Sequence, residues 1–120
     1  MRRGLAVTLL SAVLAACGPT PPQAPLPDAK KLDTSTSDIS TACGEAWQVM
    51  AFEGQNSGHL AGIEGAATRS ARKLASVYRR NPEWIYQGET VGEIVVDAKR
   101  MLASCRLGSA LSELRRATRR

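Results

Sequence analysis

Apolar residues recur at intervals of three and four along most of the chain beyond residue 38, which is the period of an amphipathic helix. The first series lies on one face of a helix predicted over 39–53: Ile39, Ala42, Cys43, Ala46, Val49 and Met50. Ser37 or Asp38 could cap the start of this helix, and Gly54 follows its last turn. Trp47 and Phe52 fall off its main apolar face.

Two further series with the same period predict helices over 59–80 and 90–107. The earlier one consists of Leu60, Ile63, Ala67, Ala71, Leu74 and Tyr78 and ends at Asn81-Pro82, because the residue before a proline avoids the helical region. The later one begins at Thr90 and Glu93, which have the spacing of a capping box. We expect Gly108 to break or bend this helix before a short fourth helix over 110–119. With no alternating strand pattern of any length, the predicted class is an all-α domain of three to four helices, spanning 38–120.

The first residues have a different pattern, which is typical of a secretory signal. Met1-Arg2-Arg3 is positively charged, and an apolar stretch from Leu5 to Ala16 follows. Twelve residues make a helix of about 18 Å, too short for a bilayer core of about 30 Å. Leu14-Ala15-Ala16-Cys17 resembles the lipobox of bacterial lipoproteins. The resemblance implies that residues 1–16 are removed as a signal peptide and that the Cys17 sulfur carries a covalent diacylglycerol, with no other cofactor.

Membrane attachment through that lipid would place the protein in the cell envelope. In enteric lipoproteins, an aspartate directly after the lipidated cysteine resembles an inner-membrane retention signal. This chain has Gly18 at that position, which favours the outer membrane, on its periplasmic side, in a cell with two membranes. In a cell with one membrane, the outer leaflet of the plasma membrane is expected. The alternative is an ordinary signal peptide followed by an unrelated cysteine.

Residues 18–38 contain five of the six prolines and few large apolar side chains. Such a segment has little surface to bury, so residues 17–37 are predicted to form a disordered linker. Twenty residues of extended chain would reach up to about 60 Å at roughly 3.1 Å per residue. The composition is similar to that of short Pro-rich lipoproteins of phage lysis systems.

If Cys17 carries lipid, the chain's other two cysteines, Cys43 and Cys105, remain as a pair in an oxidising compartment, where disulfides persist. A bond between them would stabilise so small a domain by roughly 4 kcal/mol on the chain-entropy model. A cysteine-based metal or catalytic site has less support, because the cysteines are far apart and His59 is the only histidine.

The predicted disulfide also constrains the topology. Cys43 would lie near the start of the first predicted helix and Cys105 near the end of the third, so a bond would require these helices to run antiparallel. Residues 81–89 would then cross back along the bundle, with Trp84, Ile85 and Tyr86 buried.

Positive charge is unevenly distributed. The chain has 16 basic and 11 acidic residues, and without Arg2 and Arg3 the net charge falls to +3. One face of the second helix, opposite its apolar face, carries Arg69, Arg72, Lys73, Arg79 and Arg80. This face could contact anionic lipid headgroups, but a solvated surface with cations placed near helix C-termini is the favoured interpretation. Nucleic-acid binding is not expected, because an exported lipoprotein meets little nucleic acid and only five aromatic residues are available for stacking.

Residues suited to catalysis are not grouped in the sequence. His59 has no neighbouring nucleophile or metal-ligand spacing, and the carboxylates Glu45, Glu53, Glu64 and Asp97 lie on separate segments. We therefore expect neither an enzyme nor a metal site.

A binding role has one candidate surface, an apolar row formed by Val96, Leu107, Leu111 and Leu114. It could meet a partner protein, or Gly108 could turn the chain so that the row packs on the first two helices. The favoured function is a membrane-tethered adaptor or structural lipoprotein, similar in design to the helical accessory lipoproteins of secretion and conjugation systems. An exclusion or lysis lipoprotein carried by a phage or plasmid is the alternative, and a lipoprotein enzyme has the least support.

Overall fold

The computed structural model describes Leu26 and residues 28–119. This part of the chain forms four helices and one short hairpin: α1 (Ala29–Phe52), α2 (Gly58–Arg80), β1 (Ile85–Tyr86), β2 (Glu89–Thr90), α3 (Val91–Ser104) and α4 (Gly108–Ala117). The all-α class and the pairing of Cys43 with Cys105 are confirmed. The predicted signal peptide, Cys17 and the linker up to residue 25 lie outside the described residues.

Helix α1 begins ten residues before its predicted start at 39. The assignment of residues 29–37 to a linker is wrong, because Leu32 and Ser35 continue the buried face of Ile39 and Cys43 by one more heptad. Hydroxyl groups in this Ser/Thr-rich stretch bond within the helix, as where Thr36 donates to the Leu32 carbonyl oxygen at 3.0 Å. The composition resembled that of a linker, but the hydroxyls are satisfied by helical carbonyl groups.

The end of α1 and both ends of α2 agree with the predicted signals. Gly54 follows α1 with φ of 91°, and its amide donates to the Val49 carbonyl oxygen at 3.1 Å, a glycine-terminated helix end. Ser57 caps α2 by accepting from the His59 amide, and α2 ends at Arg80, directly before Asn81-Pro82.

The predicted crossover over 81–89 is wrong. The chain instead makes a tight hairpin in which Ile85 pairs with Thr90 and Tyr86 with Glu89. Both turn residues have positive φ, 52° at Gln87 and 88° at Gly88, as a type I′ turn requires. The side chain of Ile85 is 56% exposed, and Trp84 and Tyr86 are only partly buried.

Helix α3 starts with the predicted capping box. The Thr90 hydroxyl accepts from the Glu93 amide at 3.1 Å, and a Glu93 carboxylate oxygen accepts from the Thr90 amide at 2.7 Å. The helix ends at Ser104, three residues earlier than predicted, and Gly108 opens α4 instead of interrupting α3.

The four helices alternate in direction. The Tyr86 hydroxyl, just before α3, donates to Asp33 near the start of α1 at 2.7 Å, while Cys43 and Cys105 join the two helices further along. Helices α1 and α3 therefore run parallel, and the predicted antiparallel arrangement is wrong. The error follows from the boundary of α1, because the longer helix moves Cys43 into its second half and removes the conflict with a simple up-and-down bundle.

The bundle has two distinct ends. The chain enters at Leu26, beside the C-terminal ends of α2 and α4 and the hairpin, and we call this the entry end. The opposite end contains the α1–α2 and α3–α4 connections and lies toward the disulfide, and we call it the disulfide end. The apolar core runs between them, from Leu26 and Leu32 to Leu107.

Candidate interaction surfaces

The Cys43–Cys105 disulfide joins α1 to the residue that follows α3. The two Cα atoms lie 5.4 Å apart, and the side chains are 6% and 1% exposed. The Cys43 sulfur also lies 3.4 Å from the Met101 carbonyl oxygen, inside the α1–α3 contact. A buried disulfide that closes the long loop between Cys43 and Cys105 mainly stabilises the fold.

The basic face predicted on α2 is divided by the structure. Three of its members contact other elements: Arg72 pairs with Glu113 at 3.4 Å, Arg79 donates to the Ala117 carbonyl oxygen at 3.1 Å, and Arg80 pairs with Asp28 at 2.7 Å. The remaining two, Arg69 and Lys73, line the groove between α1 and α2. Most of the predicted face therefore fastens α2 to α4 and to the start of α1.

Glu113 is central to the α2–α4 contact. Its carboxylate accepts from Arg116 at 2.7 Å and faces Arg72, and its side chain is only 14% exposed. The hydrogen bond from Arg116, with the charge of Arg72, lowers the pKa of Glu113 despite partial burial. The group therefore stays ionised and holds both arginines at neutral pH.

A further pair of cations, Lys30 and Lys31, was missed by the sequence analysis. Lys30 and Lys31, on the first turn of α1, line one open depression with Lys73 from α2, together with Asp28 and Thr34. We call Lys30, Lys31 and Lys73 the lysine cluster. The adjacent pair Lys30-Lys31 was visible in the sequence, but its position against α2 depended on α1 reaching back to residue 29.

The prediction of an apolar partner surface is wrong at three of its four positions. Leu107, Leu111 and Leu114 are 2%, 9% and 0% exposed, because α4 turns back and packs on α2 and α3. Val96 alone is exposed. The alternative, that Gly108 turns the chain and the row packs on the first two helices, is confirmed for the burial of these three leucines and for α2, but the other main contact of α4 is with α3 instead of α1.

Two exposed aromatic side chains lie toward the disulfide end, whereas Ile85 is exposed on the hairpin at the entry end. Trp47 is 54% exposed and Phe52 is 86% exposed, both on the last turns of α1. Trp47, Met50 and Ala51 border a shallow groove that Arg106 and Gln55 complete. Met50 and Arg106 also line the adjoining groove, which extends to Leu60, Glu64 and Leu107. The two grooves share a wall and form one surface, which we call the Trp47 groove.

Ser57, Glu53 and His59 lie together at the α1–α2 connection, but their geometry is that of a helix cap. The Ser57 hydroxyl donates to Glu53 at 2.7 Å, and the His59 ring nitrogen Nδ1 lies 3.5 Å from the other carboxylate oxygen. Both groups therefore bond to the carboxylate, whereas a catalytic triad would need the histidine to contact the serine hydroxyl. These bonds lower the pKa of Glu53.

The acidic residues near the start of α3 form a small repulsive group. A hydrogen bond with Asp97 raises the pKa of Glu89, and the charges of Asp97 and Glu93 act in the same direction. Within the described part of the chain, no group of three or more His, Cys, Asp or Glu side chains has a geometry that could hold a metal ion. Nor does any helix there combine the length and hydropathy needed to cross a membrane.

Comparison with known proteins does not identify a relative. No protein-family profile, no curated protein and no solved structure matches this chain.

Proposed function

We propose that this protein is a lipid-anchored binding module of the bacterial cell envelope, attached to the membrane through a diacylglycerol on Cys17, that holds an envelope protein at its Trp47 groove. The observation that carries the proposal is the opposite placement of two features. The chain enters the domain at Leu26, whereas the exposed Trp47 and Phe52 lie near the other end of α1. Helix geometry puts Phe52 about 35 Å along the axis from the start of α1.

The early start of α1 shortens the linker on which this arrangement depends. Leu26 is 5% exposed and belongs to the core, so only residues 18–25 separate the proposed lipid from the folded domain. Nine steps at roughly 3.3 Å per residue allow at most about 30 Å between Cys17 and Leu26. The domain would thus stay close to the bilayer, with its entry end facing the membrane and its disulfide end facing away.

A partner is supported by the character of the exposed side chains. A tryptophan and a phenylalanine on one exposed helical segment, next to Met50 and an arginine, match the residue types that dominate binding energy in protein interfaces. A role as an accessory of a secretion or conjugation apparatus fits this design. The outer membrane, on its periplasmic side, is the proposed location in a cell with two membranes.

The lipid anchor is tested by Cys17→Ser in the organism that expresses the protein. The variant should remain as uncut precursor or leave the membrane fraction, and it should not incorporate a labelled fatty acid. Cys43→Ser provides a matched cysteine control, which should lose the disulfide but retain the label. A Cys17→Ser protein that matures and stays on the membrane as before would overturn the anchor.

The partner surface is tested separately with a photocrosslinking residue placed at Ala51, which lines the groove, and, as control, at Ser112, an exposed position on α4. Crosslinks to one defined envelope protein should form from position 51 and be lost with Trp47→Ala, but should not form from 112. Identical products from both positions would overturn the assignment of the Trp47 groove.

A further inference from the structure

We propose that the lysine cluster is a binding site for the anionic phosphate headgroups of the membrane that carries the protein. This deepens the function proposed above, since it assumes that Cys17 holds the domain at a membrane. It also assigns headgroup contact to a surface that shares only Lys73 with the basic face that the sequence of α2 predicted.

The three lysines share a depression without being neutralised there. Among the described residues, none of the three lysines Lys30, Lys31 and Lys73 forms an ion pair. Asp28 is the one carboxylate that lines the depression, and its oxygen Oδ2 already accepts from Arg80 at 2.7 Å and from Asn81 at 3.4 Å. The cluster therefore has an excess of positive charge directed to solvent.

That excess is confined to the entry side of the α1–α2 groove. About two to four turns further along α1, Asp38 and Glu45 line the groove together with Arg69 and Lys73. Those two carboxylates equal in number the two cations that line this part of the groove, and Lys73 borders both parts. The outward positive field is thus strongest beside Lys30 and Lys31, at the first turn of α1.

The proposed lipid lies on the same side. Asp28 borders the depression and is two residues from Leu26, where the chain joins the core, so the linker leaves the domain at the edge of the lysine cluster. With at most about 30 Å of chain to Cys17, the cluster would stay within reach of the headgroups at all times. Such tethering gives weak contacts a high effective concentration, so a few charges are sufficient.

The side chains favour a membrane surface over a small soluble anion. Lysine ammonium groups are hydrated point charges on flexible side chains, which suits them to several phosphates in a plane. A site dedicated to one anion instead uses hydrogen-bond donors in a fixed, fork-shaped arrangement, such as that of a guanidinium group. The Thr34 hydroxyl in the depression is already donated to the Lys30 carbonyl oxygen at 2.6 Å. The depression is open to solvent, so it provides no enclosed cavity for one small ligand.

The test uses the chain from residue 17 with Cys17→Ser, which lacks the lipid but retains every described helix. Binding is measured by vesicle sedimentation with pure phosphatidylcholine and with phosphatidylcholine containing phosphatidylglycerol. The triple variant Lys30→Gln, Lys31→Gln and Lys73→Gln is compared with Lys99→Gln, Arg100→Gln and Arg115→Gln. Both sets remove three positive charges, but the second set lies outside the depression. Circular dichroism confirms that both variants are folded.

We expect binding to anionic vesicles only, a loss of affinity on the order of 100-fold in the lysine variant at low salt, and a much smaller loss in the control. Equal losses in the two variants, or undiminished binding by the lysine variant, would overturn the proposal. So would stronger competition by inorganic phosphate than by chloride at equal ionic strength, which would indicate a free-anion site. Because this assay contains no lipidated protein, its outcome is independent of whether Cys17 is acylated.

Discussion

The two ends of the bundle are held by different kinds of interaction. At the entry end, α1 is joined to the rest of the fold by polar contacts, Arg80 to Asp28 and Tyr86 to Asp33, above the buried Leu32. At the disulfide end, a covalent bond between Cys43 and Cys105 joins α1 to α3. Exposed ion pairs contribute little and weaken with salt, whereas a disulfide restricts the unfolded chain at any ionic strength. The polar contacts at the entry end should therefore weaken with salt, while the covalent bond at the disulfide end should not.

The largest expected effect comes from removing the bond at the disulfide end. Replacing both Cys43 and Cys105 by alanine should lower the free energy of unfolding by about 4 kcal/mol, within a range of roughly 2 to 5. For a small domain this is a large share of the total, which is typically about 5 to 15 kcal/mol. Denaturant unfolding of the variant and of the oxidised parent measures the difference. Equal midpoints for the two proteins would mean that the bond adds no stability at the disulfide end.

The second prediction concerns the entry end, where stability should depend on apolar burial more than on the visible polar contacts. Leu32 is 1% exposed, so Leu32→Ala should cost about 2 to 5 kcal/mol. Thr34→Ala, in the same turn but exposed, is the matched control and should change stability by less than about 0.5 kcal/mol. Thermal unfolding compares the two. A neutral Leu32→Ala would contradict the inclusion of residues 29–37 in the fold.

The smallest expected change in stability comes from replacing an arginine by glycine, and its sign should depend on the backbone conformation of that arginine. Arg106, in the connection between α3 and α4, has a positive φ of 61°, a region that disfavours residues with a Cβ atom. Arg106→Gly should therefore stabilise the domain by about 1 kcal/mol. Arg100→Gly makes the same substitution inside α3 and should destabilise by about 1 kcal/mol. Urea midpoints should move in opposite directions, and a shared direction would contradict the assigned conformation of Arg106.

Several features were predictable because their signals are local. The apolar period from Leu60 to Tyr78 and the Asn81-Pro82 stop predicted α2 within one residue, and Thr90 and Glu93 predicted the cap of α3. These signals depend on hydrogen bonds and on the apolar face of a helix, both formed by residues close in the chain. They can therefore be recognised directly in the sequence. The disulfide was also accessible, because assigning Cys17 to a lipobox left two cysteines to pair.

Other features depended on which surfaces meet in three dimensions. Whether residues 29–37 are linker or helix depended on a surface that could bury Leu32, and the composition of that stretch alone favoured a linker. One misplaced boundary then reversed the predicted direction of α3. Likewise, the helical period of the sequence does not show that Arg79 donates to the Ala117 carbonyl oxygen and that Arg80 donates to Asp28.

The division between sequence and tertiary structure follows the range of the interactions. Helix identity, capping and the cysteine pair arise from neighbours along the chain or from counting, and the amino-acid order was enough for them. Burial of Leu107, Leu111 and Leu114, the grouping of Lys30 and Lys31 with Lys73, and the separation of the entry end from the Trp47 groove all arise from helices packed side by side. Packing selects one face of each helix against all the others at once, so only the assembled bundle decides which charged and apolar residues remain available for binding.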